Sequence, residues 1–100
     1  MFEIETTEDY RRWFAKLRDE AAKARVDMRI RRLRKGNVGD ARPVGRAVSE
    51  LRIDYGPGYR VYFTRKDQIV IVLLAGGDKR SQFRDIRLAL ELAEAVRSER

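Results

Sequence analysis

The sequence predicts one α+β domain, made of an N-terminal strand, an antiparallel helical hairpin, a three-stranded antiparallel meander and a C-terminal helix. Three observations predict it. Apolar residues recur at helical spacing from Tyr10 to Leu33, alternate from Leu51 to Phe63, and return to helical spacing after Gln82. A chain of 100 residues, 43% of them apolar, is enough for one core and too small for two, so residues 1–100 are read as a single domain. Only 36–45 has the glycine and proline content of a loop of any length.

Taken in order, Phe2-Glu3-Ile4 is a short strand candidate. Thr6 or Thr7 ahead of Glu8 and Asp9 supplies an N-cap hydroxyl and first-turn acids, and Tyr10, Trp13, Phe14 and Leu17 then form one inward-facing helical stripe. A second helix runs from about Asp19 to Lys35, with Ala22, Val26, Ile30 and Leu33 on its apolar line and Gly36 at its C′ position. Because the two helices are joined by only a residue or two, they are expected to pair antiparallel and to lie together on a sheet. Residues 36–45, with three glycines and a proline, are expected to be a loop.

In the first meander strand, 48–55, Leu51, Ile53 and Tyr55 alternate with Glu50, Arg52 and Asp54. Gly56-Pro57-Gly58 turns the chain, and Tyr59, Val61 and Phe63 oppose Arg60, Tyr62 and Thr64 in the second strand. After a turn at 65–67 the third strand, 69–75, is apolar on both faces, which places it in the middle of a covered sheet. Ser81 is the expected cap of a last helix, about 82–97, whose Ile86, Ala89, Leu90, Ala93 and Val96 form a broad apolar band.

Composition narrows the chemistry. With no cysteine and no histidine, disulfides, Cys/His zinc sites, Ser-His-Asp triads and nucleases built on paired histidines are excluded, and neither a metal nor a cofactor is expected. The longest apolar run is Ile69–Ala75, so the expectation is a cytoplasmic protein with no membrane span. The net charge is +7, and between Arg11 and Lys35 eleven Lys/Arg stand against three acids, a local net of +8. Such a concentrated field favours a polyanion, nucleic acid first and an acidic protein second.

Period 2 puts Arg52 opposite Leu51 and Ile53, and Arg60 opposite Val61 and Phe63. If the apolar residues share the core side, both guanidiniums project from one open face. Lys79 and Arg80 follow the third strand, next to a Gly-Gly that permits close backbone approach and just before a helix N-terminus. Arg52, Arg60, Lys79 and Arg80 are therefore the candidates to converge on one phosphate. Each also has a plainer reading: Arg52 beside Glu50 and Asp54 as cross-strand ion pairing worth about 0.2–1 kcal/mol, and Lys79 and Arg80 as solvated loop charges. Gly76-Gly77-Asp78-Lys79 lacks the spacing of a phosphate-binding loop.

The helical hairpin, Glu50-Leu51-Arg52, Gly58-Tyr59-Arg60, and the run Leu73-Leu74-Ala75-Gly76-Gly77-Asp78-Lys79 followed by Gln82, Asp85-Ile86 and Ala89 resemble the RelE/ParE toxin superfamily of bacterial toxin–antitoxin modules. Within it the chain most resembles the HigB-like branch of addiction-module killer proteins, over nearly its whole length. The resemblance implies a RelE-like β-α-α-β-β-β-α fold and, for RelE- and HigB-like members, ribosome-dependent cleavage of messenger RNA by basic side chains on the sheet in place of a histidine pair or a metal. Carried over, Arg60 matches the central-strand arginine that contacts the scissile phosphate, Arg52 the basic position on the preceding strand, and Lys79 with Arg80 the basic positions after the last strand.

Attack of a ribose 2′-OH on the adjacent phosphorus builds negative charge that fixed guanidiniums stabilise. Arginine is a poor base, which leaves Lys79, set among positive charges, as the better proton shuttle. No tyrosine follows position 62, so the C-terminal tyrosine of some relatives is replaced here either by Tyr62 from the sheet face or by Phe83 stacking on a base. Packing is the competing reading of Phe83, and the favoured one, since aromatic residues near a helix start usually pack. Arg25, Arg29 and Arg32 on the hairpin are the candidate RNA contacts beyond the site. The resemblance also implies a cognate helix-turn-helix, HigA-like antitoxin, the ribosome and its mRNA as partners, and operator DNA bound through the toxin–antitoxin complex. Three other readings stand beside it: a ParE-like inhibitor of DNA gyrase, a non-catalytic basic nucleic-acid-binding module, and a hairpin whose charge chiefly docks an acidic antitoxin.

Overall fold

The computed structural model describes residues 1–99. Its elements are β1 (Glu3–Thr6), α1 (Glu8–Lys16), α2 (Glu20–Arg34), β2 (Ala41–Gly45), β3 (Val48–Ile53), β4 (Tyr59–Arg65), β5 (Val70–Gly77), a 3₁₀ turn (Lys79–Ser81) and α3 (Gln82–Ser98). The strands form one sheet in the order β1-β5-β4-β3-β2, with β1 parallel to β5 and every other pair antiparallel. The fold is α+β, five strands and three helices.

Local signals set the helix ends. The Thr7 hydroxyl accepts from the Tyr10 amide at 3.0 Å, and Asp19 Oδ1 accepts from Ala21 and Ala22 at 2.9 and 3.2 Å, each satisfying donors the helix leaves free. At the other end of α2, Gly36 takes φ +90°, and the amides of Gly36 and Asn37 return to the carbonyls of Leu33 and Arg32, both at 2.9 Å. That closes the helix by a Schellman motif.

Each face of the sheet carries its own core. Tyr10, Val26 and Leu33 of α1 and α2 pack with Leu51, Ile53, Val61, Phe63, Ile71 and Leu73, while Ala89 and Ala93 of α3 pack with Val48, Tyr62, Val70, Val72, Leu74 and Ala75. Strand β5 lies inside the sheet and is buried on both faces, as its unbroken apolar run implies.

Three expectations are corrected. The segment 36–45 is not all loop: Ala41–Gly45 is an edge strand paired with β3, so the antiparallel part of the sheet has four strands, β2 to β5, where a three-stranded meander is expected. Pro43 is tolerated there because an edge strand leaves one row of donors unused. Ser81 does not cap α3 with its side chain. Asp78 caps the 3₁₀ turn, accepting from the Arg80 amide at 2.9 Å, and the Ser81 hydroxyl donates to the Asp85 carboxylate. Third, Gly76 and Gly77 belong to β5, and the close approach they permit is internal. A Cβ on Gly76 would lie 2.2 Å from the Trp13 ring, and one on Gly77 would lie 1.8 Å from Asp85 Oδ2. A register shift between Tyr62 and Phe63 gives β5 one residue more than β4 at this point, and it decides which face each glycine meets, Gly76 that of Trp13 and Gly77 that of Asp85.

Candidate functional site

Arg52 and Arg60 face each other directly across the β3–β4 pair, so period 2 places both guanidiniums on the α3 side of the sheet. That side is covered by α3 along much of its length, and the open part lies at the end where β5 runs into the 3₁₀ turn. There Arg52, Arg60 and Lys79, with Asp40, Gly58 and Tyr59, line a cleft of about 290 Å³. The two arginines are held differently. Arg52, with its side chain 45% exposed, pairs with Asp40 Oδ1 at 2.9 Å, in place of the Glu50 or Asp54 partners its sequence neighbours suggest. Arg60 is only 12% exposed, donates from Nη1 to the Gly58 carbonyl at 2.8 Å, and brings Nε to 3.5 Å from Glu50 Oε2.

Glu50, which pattern reading leaves on the polar side of an alternating strand, is the centre of this region. Its side chain is fully buried. It accepts from Arg42 Nε at 3.0 Å, the Tyr62 hydroxyl at 2.9 Å and Gln82 Nε2 at 2.8 Å, which ties β2, β4 and the first turn of α3 to β3. Burial pushes the Glu50 carboxyl up, but the bonds from Gln82, Arg42 and Tyr62 outweigh it and hold the group below the ordinary glutamate range, so it is ionised. The same geometry removes Tyr62 from the candidate RNA contacts. Its ring is fully buried, and burial followed by the bond to Glu50 raises its hydroxyl far above the ordinary tyrosine value. A phenol held in this way neither stacks on a base nor gives up its proton at neutral pH.

Arg80 does not join the cleft. Its side chain turns back to Asp78 Oδ2 at 3.2 Å and lines a separate depression with Phe83 and Arg84. Phe83 is 89% exposed, which overturns the packing reading and leaves its ring open to solvent between two guanidinium-bearing neighbours. On α2, Arg25 sits over the Tyr55 ring at 4.5 Å and Arg32 is exposed. Arg29 is a structural clamp instead. It donates to the carbonyls of Arg52 and Val38, and to that of Asp40 at 3.2 Å, fixing the chain that carries Asp40 beside the cleft. Together Arg25, Met28, Arg29 and Arg32 line a depression of about 510 Å³ beside the end of β3.

Among the described residues no group of three acidic side chains is placed to hold a metal ion, and no helix is long and apolar enough to cross a membrane. No family model matches the chain. A Haemophilus influenzae protein described as uncharacterized is 45% identical to it over 94 residues, which is 94% of this chain and 95% of that protein. The two belong to one family. The match spans both the helical half and the sheet of the domain described above.

The sequence therefore brings three of its four phosphate candidates together and hides the residue around which they are organised. Glu50 alternates with Leu51 as a solvent-facing residue would. The available signal was Tyr62 opposite it on an otherwise apolar face, since that face needs α3 as its cover and a polar group under a cover needs partners.

Proposed function

We propose that this chain is the toxin of a type II toxin–antitoxin module of the RelE/HigB-like kind, an endoribonuclease that cuts messenger RNA on the ribosome. The observation that carries the reading is the convergence of Arg52, Arg60 and Lys79 on one open cleft. In the mechanism, the 2′-OH of one nucleotide loses its proton and attacks the neighbouring phosphorus. The bond from phosphorus to the 5′-oxygen of the next nucleotide breaks, leaving a 2′,3′-cyclic phosphate and a 5′-hydroxyl that takes up a proton. The inward-anchored Arg60 contacts the phosphate oxygens as charge builds on them, and Arg52, partly neutralised by Asp40, adds a second cation at the rim. Lys79, on its own turn, exchanges the proton that the arginines cannot. Rate comes chiefly from holding the 2′-OH in line with the phosphate, which the ribosome-bound strand assists.

Exposed Phe83 with Arg80 and Arg84 supports a path for the single strand beyond the cleft, through stacking and phosphate contact. The basic α2 surface supports a polyanion as the larger partner, ribosomal RNA when the protein is free. A HigA-like helix-turn-helix antitoxin neutralises it, and their complex binds operator DNA. The whole cycle takes place in the cytoplasm.

Primer extension on a defined mRNA in a purified translation system tests the reading, with wild-type protein and Arg60→Ala at two salt concentrations. Cuts are expected only when ribosomes are present, reduced about 10²–10³-fold in the variant and weakened by salt. Absence of cuts from folded wild-type protein overturns the reading and directs attention to gyrase supercoiling and to binding without cleavage.

A further inference from the structure

An ionised carboxylate with no solvent exposure is a costly choice on a face otherwise filled by Val48, Val72 and Leu74, where an apolar side chain of similar volume would serve stability as well. Its partners give no reason to keep it. The Tyr62 hydroxyl and the Gln82 amide make no other side-chain hydrogen bond among the described residues, so both bonds exist to satisfy Glu50. What remains are two arginines: Arg42, half-exposed on the edge strand and bonded through Nε at 3.0 Å, and Arg60 at the cleft. The Arg60 Nε is the one buried polar side-chain atom among the described residues without a hydrogen-bond partner, and it lies 3.5 Å from Glu50 Oε2, an ion-pair contact.

With Nε beside Glu50 at 3.5 Å and Nη1 bonded to the Gly58 carbonyl at 2.8 Å, the guanidinium is held at two points next to the cleft that Arg60 lines. We propose that Glu50 is a positioning residue, whose buried carboxylate holds the Arg60 guanidinium edge-on to the cleft before any anion arrives. The inference rests on the reading of that cleft as a phosphodiester site. Glu50 then has two opposed effects on an anion there. Its charge repels the anion, and its grip on Arg60 presents a pre-oriented donor with little entropy left to lose. Pre-orientation is the larger effect.

Because the two effects differ in sign, one substitution separates them. Glu50→Gln keeps the shape and adds one positive unit to the net charge, so charge alone predicts tighter anion binding. Positioning predicts weaker binding, by about tenfold, as for other residues that orient a ligand-contacting group. The probe is a short 2′-O-methyl oligoribonucleotide, which 2′-OH chemistry cannot cut. Binding and hydrogen exchange are followed at the Arg60 Nε–H by nuclear magnetic resonance of isotope-labelled full-length protein, the signal being assigned with Arg60→Lys.

The Arg60 Nε–H is expected to be protected in wild type and in Tyr62→Phe, and to exchange about tenfold faster in Glu50→Gln. A merely structural role would instead make Tyr62→Phe and Glu50→Gln alike. Should Glu50→Gln fail to fold, Glu50→Asp, which keeps the charge but withdraws it by one methylene, is read the same way. Unchanged exchange in the folded Glu50 variant, or tighter binding by Glu50→Gln, overturns the proposal. If the oligonucleotide leaves the wild-type Arg60 signal unmoved, the nuclease reading fails, and the exchange comparison still decides the role of Glu50.

Discussion

Under α1 and α2 the sheet offers Leu51, Ile53, Val61, Phe63, Ile71 and Leu73, a set of hydrocarbon and aromatic side chains that needs nothing but close packing. Under α3 the same three strands offer Val48, Tyr62, Val72 and Leu74, but also the buried polar side chains of Glu50 and Thr64, with Asp85 brought in by the helix itself. Among the described residues the buried carboxylates and the buried threonine all lie on the side that ends in the cleft. The first face is stabilised by apolar area and tolerates rearrangement of similar volumes. The second depends on a closed set of hydrogen bonds, and the loss of one member strands the others. In this molecule the face that carries the cleft arginines is also the one that gives up ordinary packing.

Removal of the central carboxylate is the largest way to break the contrast. Glu50→Ala leaves the Tyr62 hydroxyl, the Gln82 amide and Arg42 without their acceptor and the Arg60 guanidinium without its ion-pair partner, and is expected to cost about 3–5 kcal/mol in denaturant unfolding. Leu51→Ala, on the adjacent residue but the opposite face, is expected to cost about 3 kcal/mol through its cavity. The two separate on acidification. The folded state depresses the Glu50 carboxyl, so its contribution is present above the ordinary glutamate value of 4.5 and fades as pH falls through the lower folded value. The gap between wild type and Glu50→Gln should therefore narrow below about pH 4.5, while the cost of Leu51→Ala stays flat. A cost of Glu50→Gln that is equally flat from neutral pH to pH 3 would remove the distinction between the faces.

Asp85 provides the smallest and oppositely signed effect. Burial raises its carboxyl more than the bond from Ser81 lowers it, so its favourable contribution is complete at low pH and is lost as pH rises through the raised folded value. Asp85→Asn, which keeps an acceptor for Ser81 and carries no charge, is expected to stabilise the protein near neutral pH by less than about 1 kcal/mol. Thermal unfolding compared at two pH values reads the sign directly.

The contrast also explains what could be read from the residues in order. Helical stripes such as Tyr10, Trp13, Phe14 and Leu17, and alternation such as Tyr59, Val61 and Phe63, report a face that packs by hydrocarbon alone, and that side of the fold was legible. β2 was not, because Pro43 and its flanking glycines carry the composition of a loop, and its status as a strand comes from pairing with β3. Nor was the register shift in β5, since a strand apolar on both faces shows no alternation whose break could be noticed. The convergence of Arg52 with Arg60 followed from period 2, and that of Lys79 from chain proximity to the same edge. Glu50 stayed hidden because a buried charge and a solvated one have the same letter, and Arg80 was misplaced because a side chain two residues from Asp78 has a nearer partner than the cleft.

The parallel pairing of β1 with β5 has a consequence for how the chain reaches this structure. The Thr7 hydroxyl closes on the Leu74 carbonyl across 67 positions of sequence, and Trp13 finds its seat over Gly76 at the same far end. On a chain being synthesised, the first strand and first helix therefore emerge well before the strand that seats them, with only α2 to pack against in the meantime. β1 and α1, made before β5, are among the last parts to find their final place, and a chain released before β5 is complete retains an unpaired strand and an aromatic stripe only partly covered.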